Sequence, residues 1–213
     1  MIIAIDGPAA SGKGTLARHL ARHYGLGYLD SGALYRAVAR DVLAAGTDPH
    51  DAEAARRIAR DLDTGSLDDE RLREHGVSET ASIVARHPGV RAVLLEQQRA
   101  FAHRPGGAVL DGRDIGTVVC PEADVKFFVI ASDEERARRR HLELTQGGSE
   151  IGYDEVLADI GTRDARDRER AAAPLKPATD AHLLDTTNLD IEAAFKAAVE
   201  LIDAAIDRAG RGP

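Results

Sequence analysis

The sequence predicts an α/β fold: a five-stranded parallel sheet, doubly wound, with helices on both faces. Three observations point to it. Five short apolar runs recur along the chain, each nearly continuous, as strands covered on both faces are. Segments with helical period lie between them, several closed by glycine. A glycine-rich loop separates the first apolar run from the first helical one. The 213 residues, 43% hydrophobic and 30% charged, suit one domain with a sizeable core and room for a small insertion.

The first strand is "MIIAID", residues 1–6. Leu16, Leu20 and Tyr24 then recur at i, i+4, i+8, and Gly25 can end that helix. "GYLD" (27–30) is the second strand. Leu34, Val38 and Val42 repeat the helical spacing before Gly46. Residues 47–87 offer no good strand; "DPHDAEAARRIARDLD" and "DDERLREHGVSETASIVARH" are polar and helix-prone, which predicts a small helical insertion outside the sheet. "GAVLDG" (107–112) and "VKFFVIA" (125–131) are the third and fourth strands. Residues 133–173 are dense in charge and again lack a strand. "HLLDT" (182–186) is the fifth strand, and an Ala-rich amphipathic helix over 189–208 follows it.

The loop "GPAASGKGT" carries the first chemistry. Gly7, Gly12 and Gly14 let the backbone turn tightly and bring its N–H groups close to an anion, while the next helix adds the partial positive charge of its N-terminus. Lys13 can reach the β- and γ-phosphates, and G-x-x-x-x-G-K fits the P-loop pattern for a nucleoside triphosphate. Gly14 stands where that pattern has Ser or Thr, and Thr15 follows. Thr15 and Asp111, the latter at the end of "AVLD", are therefore the candidate magnesium groups, directly or through water. The loop leaves open whether the γ-phosphate goes to water or to an acceptor; no guanine-reading N-K-x-D is present.

Charge and cysteine usage narrow the field. The net charge is −8, against the broad basic surface that a nucleic-acid polymer needs. It does not exclude a small anion held by a few arginines in a cleft. Cys120 is the single cysteine, so no intrachain disulfide and no cysteine-built metal site can form, and a small buried hydrophobe is its expected role. No run approaches the ~18–20 apolar residues that span a bilayer, and "MIIAID" is too short for a signal peptide. A cytoplasmic monomer with neither membrane nor nucleic-acid partner is the expectation.

A kinase for a phosphorylated acceptor must hold two polyanions within reaction distance. Arg36, Arg91, Arg113, Arg138, Arg139, Arg140, Arg163 and Arg170 supply candidate cations, whose planar forks meet phosphate bidentately. Arg163, Asp167 and Arg170 stand at i, i+4, i+7, a spacing that places them on one helix face. Alone, such a run also fits a solvated, salt-bridged face.

The stretches "IDGPAASGKGT", "YLDSGALYR", "ARHPGVR", "LLEQQRAF", "LDGRDIGTVVCPEADVKFFV", "ASDEERARRR" and "RDARDRERAAAPLKPATDA" together resemble the bacterial cytidylate kinases, P-loop nucleoside monophosphate kinases. "DSGALYR" with "DGRDIGTVV" and "RDARDR" is far more specific than the loop alone. The resemblance implies a P-loop kinase sheet (core 1–46 and 88–213), a nucleoside-monophosphate-binding insertion at about 47–87 and an arginine-rich lid at about 138–165. It implies phosphorylation of CMP and dCMP by ATP with Mg²⁺ as co-substrate ion. Gly7, Pro8, Ala9, Ala10, Ser11, Gly12, Lys13, Gly14, Thr15 and Arg139 would bind ATP. Ser31, Arg36, Ser82, Arg91, Arg113, Asp114, Arg163, Asp167 and Arg170 would bind CMP, and Lys13, Arg113, Arg139 and Arg140 would act in transfer. Longer members of the family carry an antiparallel strand insertion before the "AS" that precedes Arg91; here that segment is short and helical in pattern. The alternatives are another small-molecule P-loop kinase, for thymidylate, shikimate or a sugar acid, and a nucleotide-binding switch ATPase.

Overall fold

In a computed structural model, which describes residues 1–63, 67 and 70–210, five parallel strands stand in the order β2-β3-β1-β4-β5. They are β1 (Ile2–Asp6), β2 (Gly27–Asp30), β3 (Ala108–Gly112), β4 (Val125–Ile130) and β5 (His182–Asp185). Each expected strand is found within a residue or two. Side chains alternate across the pleat: Ile3 and Ile5 of β1 enter one core, Ala4 the other. Helices α1 (Lys13–Tyr24) and α8 (Ile191–Gly210) cover the first face, through Leu16, Leu20, Ala198 and Ile202. Helices α2 (Ser31–Ala44), α3 (Ala52–Arg60), α4 (His75–Val84) and α5 (Pro88–Ala102) cover the second. Each fully buried leucine or isoleucine of this kind stabilises the fold by roughly 1.5–3 kcal/mol.

Local chemistry sets the helix ends. Gly25, at φ +65°, closes α1; the Asp30 carboxylate caps α2 by accepting from Ala33 N–H; Asp51 caps α3. The segment expected to be a helical insertion forms α3, a 3₁₀ turn at Glu70–Arg73 and α4, with residues 64–66 and 68–69 of that expectation outside the described residues. Its apolar side chains Ala55, Ala59, Leu72, Val77, Ala81 and Val84 join the same core as Leu34, Val38 and Leu110. The segment is thus packed onto the sheet's second face. Cys120 is buried in that core too, and burial pushes its thiol up to about 11.

The charge-dense region forms a helical hairpin, α6 (Asp133–Gln146) and α7 (Tyr153–Glu169). Its apolar contacts, Ala137, Leu144, Val156 and Ile160, form a small core separate from the two that flank the sheet. Arg163 and Asp167 lie on α7, but Arg170 does not share their helical face. It follows the last helical residue, with extended backbone at φ −61° and ψ 135°, because the chain turns there: Arg170 Nε donates to Ala173 O (2.6 Å) and Leu175 N–H reaches back to Asp167 O (2.8 Å).

Candidate active site

In an open parallel sheet, ligands gather at the carboxyl ends of the strands. Register places the ends of β1, β2 and β3 side by side: Asp6 opposite Gly112, and Asp30 opposite Asp111. A cavity of about 480 Å³ opens there, bounded by α4, α6 and α7.

One end of it is the glycine loop. The chain leaves β1 through Gly7 at φ +156°, where a Cβ would lie 2.1 Å from Val129 O, so only glycine passes. Gly12, at φ +86°, turns the chain into α1. Lys13 is the first residue of that helix; its Nζ arches back to donate to Pro8 O (3.1 Å). Burial lowers Lys13 to about 7, and Arg113 adds to the effect, while Asp111 and Asp30 oppose it. Asp111 is pushed up to about 6 by burial and then by the charge of Asp30; Lys13 and the Tyr28 hydroxyl, which donates to its Oδ1 (2.9 Å), pull the other way. Burial also pushes Asp30 up, but the neighbouring Arg36 guanidinium, and then Lys13, hold it below the usual carboxylate range.

The other end is a wall of arginines. Arg113, just past β3, donates from Nε to Asp167 Oδ2 on α7 (2.8 Å). Burial raises the Asp167 carboxyl, and Arg113, Arg163 and Arg170 outweigh it, so the group sits below its ordinary value. Asp114 accepts from Arg91 of α5 and from Arg170 Nη2 (3.4 Å). Gly112 leaves room for Ser31, whose Oγ would lie 2.4 Å from an added Cβ. Arg163, on α7, is half-buried with its Nε out of solvent, and desolvation with Arg113 beside it lowers its guanidinium to about 10. Three buried polar atoms of this wall, Ser82 Oγ, Arg36 Nε and Arg163 Nε, have no hydrogen-bond partner among the described residues. Such atoms carry a desolvation cost that a ligand can remove.

The structure therefore brings Ala9, Ala10, Lys13, Gly14, Thr15, Ser31, Arg36, Ser82, Asp111, Arg113, Asp114, Arg140, Arg163, Asp167 and Arg170 to one cavity. Arg91 stands behind it, gripping Asp114. Arg140 bridges its mouth from α6 to α4: Nη1 donates to Glu143 (2.8 Å) and Nη2 to Ser78 Oγ (3.3 Å). Arg139 is not in the cavity lining. Its guanidinium lies beside the glycine loop, 3.5 Å from where a Cβ on Gly12 would stand, and bonds Thr186 and Glu135.

Several groups that shape the site were not singled out from the sequence. Asp6 accepts from Ile115 N–H and Gly116 N–H, both at 2.8 Å, which caps the wide π-helical turn (Ile115–Val119) that follows Asp114. Burial pushes the Asp6 carboxyl up to about 7 against the pull of those two N–H groups. Arg136 is buried and paired with Asp164 Oδ2 (2.7 Å), and Tyr28 steadies Asp111. A strand-end aspartate or one arginine among four in "RARRR" carries no sequence signal of such partners, which lie 28 to 110 residues away.

The donor set also suits a magnesium ion that travels with nucleotide. Tyr28 occupies Asp111 Oδ1, while Oδ2 faces the loop at Gly14 (3.5 Å from an added Cβ), next to Thr15. Magnesium is content with one or two carboxylates plus phosphate and water. Among the described residues no cluster of three His, Cys, Asp or Glu could hold a metal by itself.

Over 212 residues the chain is 61% identical to a cytidylate kinase of Methylocella silvestris, covering 99% of this chain and 98% of that one. It is 62% identical over 204 residues to a cytidylate kinase of Methylobacterium sp. (strain 4-46), covering 96% and 97%. A crystal structure of an uncharacterized protein from Eubacterium ventriosum superposes over 95% of this chain and 98% of its own, at TM-score 0.56 and 14% identity, a likeness of fold alone. The family model for cytidylate kinase matches residues 3–204, and the chain belongs to that family.

Proposed function

We propose that this enzyme transfers the γ-phosphate of ATP directly, in line, to the phosphate of CMP or dCMP, giving the diphosphate. The observation that carries the reading is that one cavity holds a glycine loop of phosphate-binding form at one end and, at the other, an arginine wall with three buried polar atoms that have no partner among the described residues. Membership of the cytidylate kinase family supports the choice of acceptor.

The nucleophile is a phosphate oxygen that is already ionised near neutral pH, since the second phosphate pKa is about 6, so no general base is required. Catalysis is then alignment and neutralisation of spreading charge. The loop 7–15 cradles the ATP phosphates with its N–H groups, and Lys13 supplies the cation at the transferring group. Arg36, Arg113, Arg163 and Arg170 hold the acceptor phosphate and the ribose side, with Ser31 and Asp167 as hydrogen-bonding partners. Ser82 and Asp114 face the base, and Arg91 holds Asp114 from behind the cavity. Asp111 and Thr15 would hold a magnesium ion, directly or through water, and it would supply positive charge to the phosphate oxygens.

The helical segment 47–87 serves as the acceptor-binding insertion and the hairpin around 138–165 as a lid. Its separate small core suits a body that shifts over the cavity. Arg139 and Arg140 act on closure, which excludes water from the γ-phosphate. The enzyme works as a monomer in the cytoplasm. Measuring ADP release from ATP with each nucleoside monophosphate, against a control without acceptor, tests the whole reading. CMP and dCMP should stand far above the rest, and hydrolysis equal to the CMP rate in the control would sink it.

A further inference from the structure

The glycine loop contains two residues in the left-handed region: Ala10 at φ +57° and Gly12 at φ +86°. Glycine adopts that conformation freely, whereas the Cβ of Ala10 strains against it. In both cases the carbonyl just before the left-handed residue is held by a side chain from the far half of the chain. Arg136 Nη1, on α6, donates to Ala9 O (3.1 Å). Thr186 Oγ1, one residue past β5, donates to Ser11 O (2.9 Å), with Ile130 O nearby at 3.1 Å.

Both side chains are buried and fixed in turn. Arg136 is clamped by Asp164 (2.7 Å) and Asp133 (2.5 Å), and its Nε donates to Ala131 O (3.2 Å). Thr186 Oγ1 accepts from Arg139 Nη1 (3.1 Å). A trans peptide unit is planar, so a carbonyl drawn outward turns the next N–H the opposite way. Backbone N–H groups converging around left-handed residues form an anion-binding nest.

We propose that Arg136 and Thr186 are positioning residues of the phosphate loop. They draw the Ala9 and Ser11 carbonyls outward and so aim the N–H groups of Ala10 and Gly12 at the triphosphate. Neither touches the ligand. Arg136 also ties the loop to α7 through Asp164, the neighbour of Arg163, so the loop and the acceptor wall share one buried guanidinium. This inference rests on the reading of the loop as the ATP site.

The test is direct titration calorimetry with ATP and, separately, with CMP. Thr186→Val keeps the shape and removes the hydroxyl. It should weaken ATP binding about tenfold, the worth of one net hydrogen bond, and leave CMP binding within about twofold. Thr186→Ser, which restores the donor, should return ATP binding to wild type. Thr186→Val also costs Arg139 an acceptor, so a second variant leaves Arg139 alone. Arg136→Met with Asp164→Leu replaces a buried ion pair by apolar groups, an exchange that folds tolerate well. It should weaken ATP binding by a similar factor and more than CMP binding. Unchanged ATP binding in both variants overturns the proposal, as does an equal loss for ATP and CMP accompanied by a lower melting temperature. Lys13→Ala is the control: if it too leaves ATP binding intact, the loop is not the triphosphate site and the proposed function fails, not merely the brace.

Discussion

One end of the cavity is lined by the glycine loop and a single lysine; the other by guanidinium groups brought from α2, α7 and the end of β3. The loop end is set by backbone conformation. Its cation, Lys13, is buried beside two carboxylates, Asp111 and Asp30, and burial lowers it to about 7. The arginine end is set by side-chain pairing. Asp167 holds Arg113, and Asp114 holds Arg91 and Arg170. The difference suits the two anions proposed for them. A triphosphate would meet a backbone cradle with one lysine, and the acceptor would meet side chains several of which are already paired with carboxylates.

The sharpest way to break this comparison is to remove the carboxylate that orders the arginine end. Asp167→Asn leaves Arg113 without its ionic partner in a buried site, and such a loss typically costs about 3–5 kcal/mol of stability. The sign with pH follows from the lowered Asp167 value. The stabilisation is present above its unfolded pKa of about 3.9 and is lost as pH falls below that through the folded value. Denaturant midpoints should therefore differ widely at pH 7 and converge at strongly acid pH; a constant gap would show that the ion pair contributes nothing. In turnover, Asp167→Ala should reduce activity toward CMP and dCMP by different factors, since the two differ in one hydroxyl. Equal losses would point to a purely structural salt bridge.

Lys13→Ala tests the loop end. It should leave the melting temperature near wild type and lower turnover by about 10² to 10³, the cost of losing one charged donor at a developing charge. Turnover within about threefold of wild type would refute a role at the transferring phosphate. A smaller effect is expected where the acceptor's base is read. Cytosine offers a donor at N4 and an acceptor at N3, and uracil reverses both. With Ser82 and Asp114 as acceptors for the N4 donor, kcat/KM for CMP should exceed that for UMP by at least about tenfold, from one mispaired buried polar group. Asp114→Ala should narrow that gap mainly by harming CMP. Wild-type enzyme equally fast on both bases would remove the base-reading scheme and leave the phosphate chemistry standing.

The smallest change to ground-state binding should come from Arg139 and Arg140. Neutralising both is expected to lower kcat while CMP binding stays nearly constant, because Arg140 spans the cavity mouth and Arg139 lies outside the cavity. A loss of CMP affinity as large as the loss of turnover would place them in the acceptor wall instead.

How much of this was legible in the sequence differs between the same two ends. The loop was legible almost whole, because it is local: strand, glycines, lysine and helix lie within one continuous stretch, and their spacing is their geometry. The five strands were legible for the same reason, as near-continuous apolar runs. At the arginine end, residue types could be read but not their pairing. Arg113 meets Asp167 across 54 residues and Asp6 caps the turn after Asp114 across 109, separations at which spacing carries no geometric information. Arg136 and Arg138 make the contrast plain. They stand two apart in one basic run, yet Arg136 is buried against Asp164 while Arg138 lies exposed, paired with Glu135 on its own helix.

By itself the sequence determined the strand and helix pattern, the phosphate loop and the family resemblance, because each rests on local spacing or on a run of matched motifs. Only the tertiary structure decided which arginines enter the cavity, which carboxylates hold them, that Arg170 leaves the helix, and that Arg136 and Thr186 grip the loop. Those outcomes depend on strand register and on how α6 and α7 pack beside the sheet, where burial strengthens each charge interaction and leaves each unpaired polar atom costly.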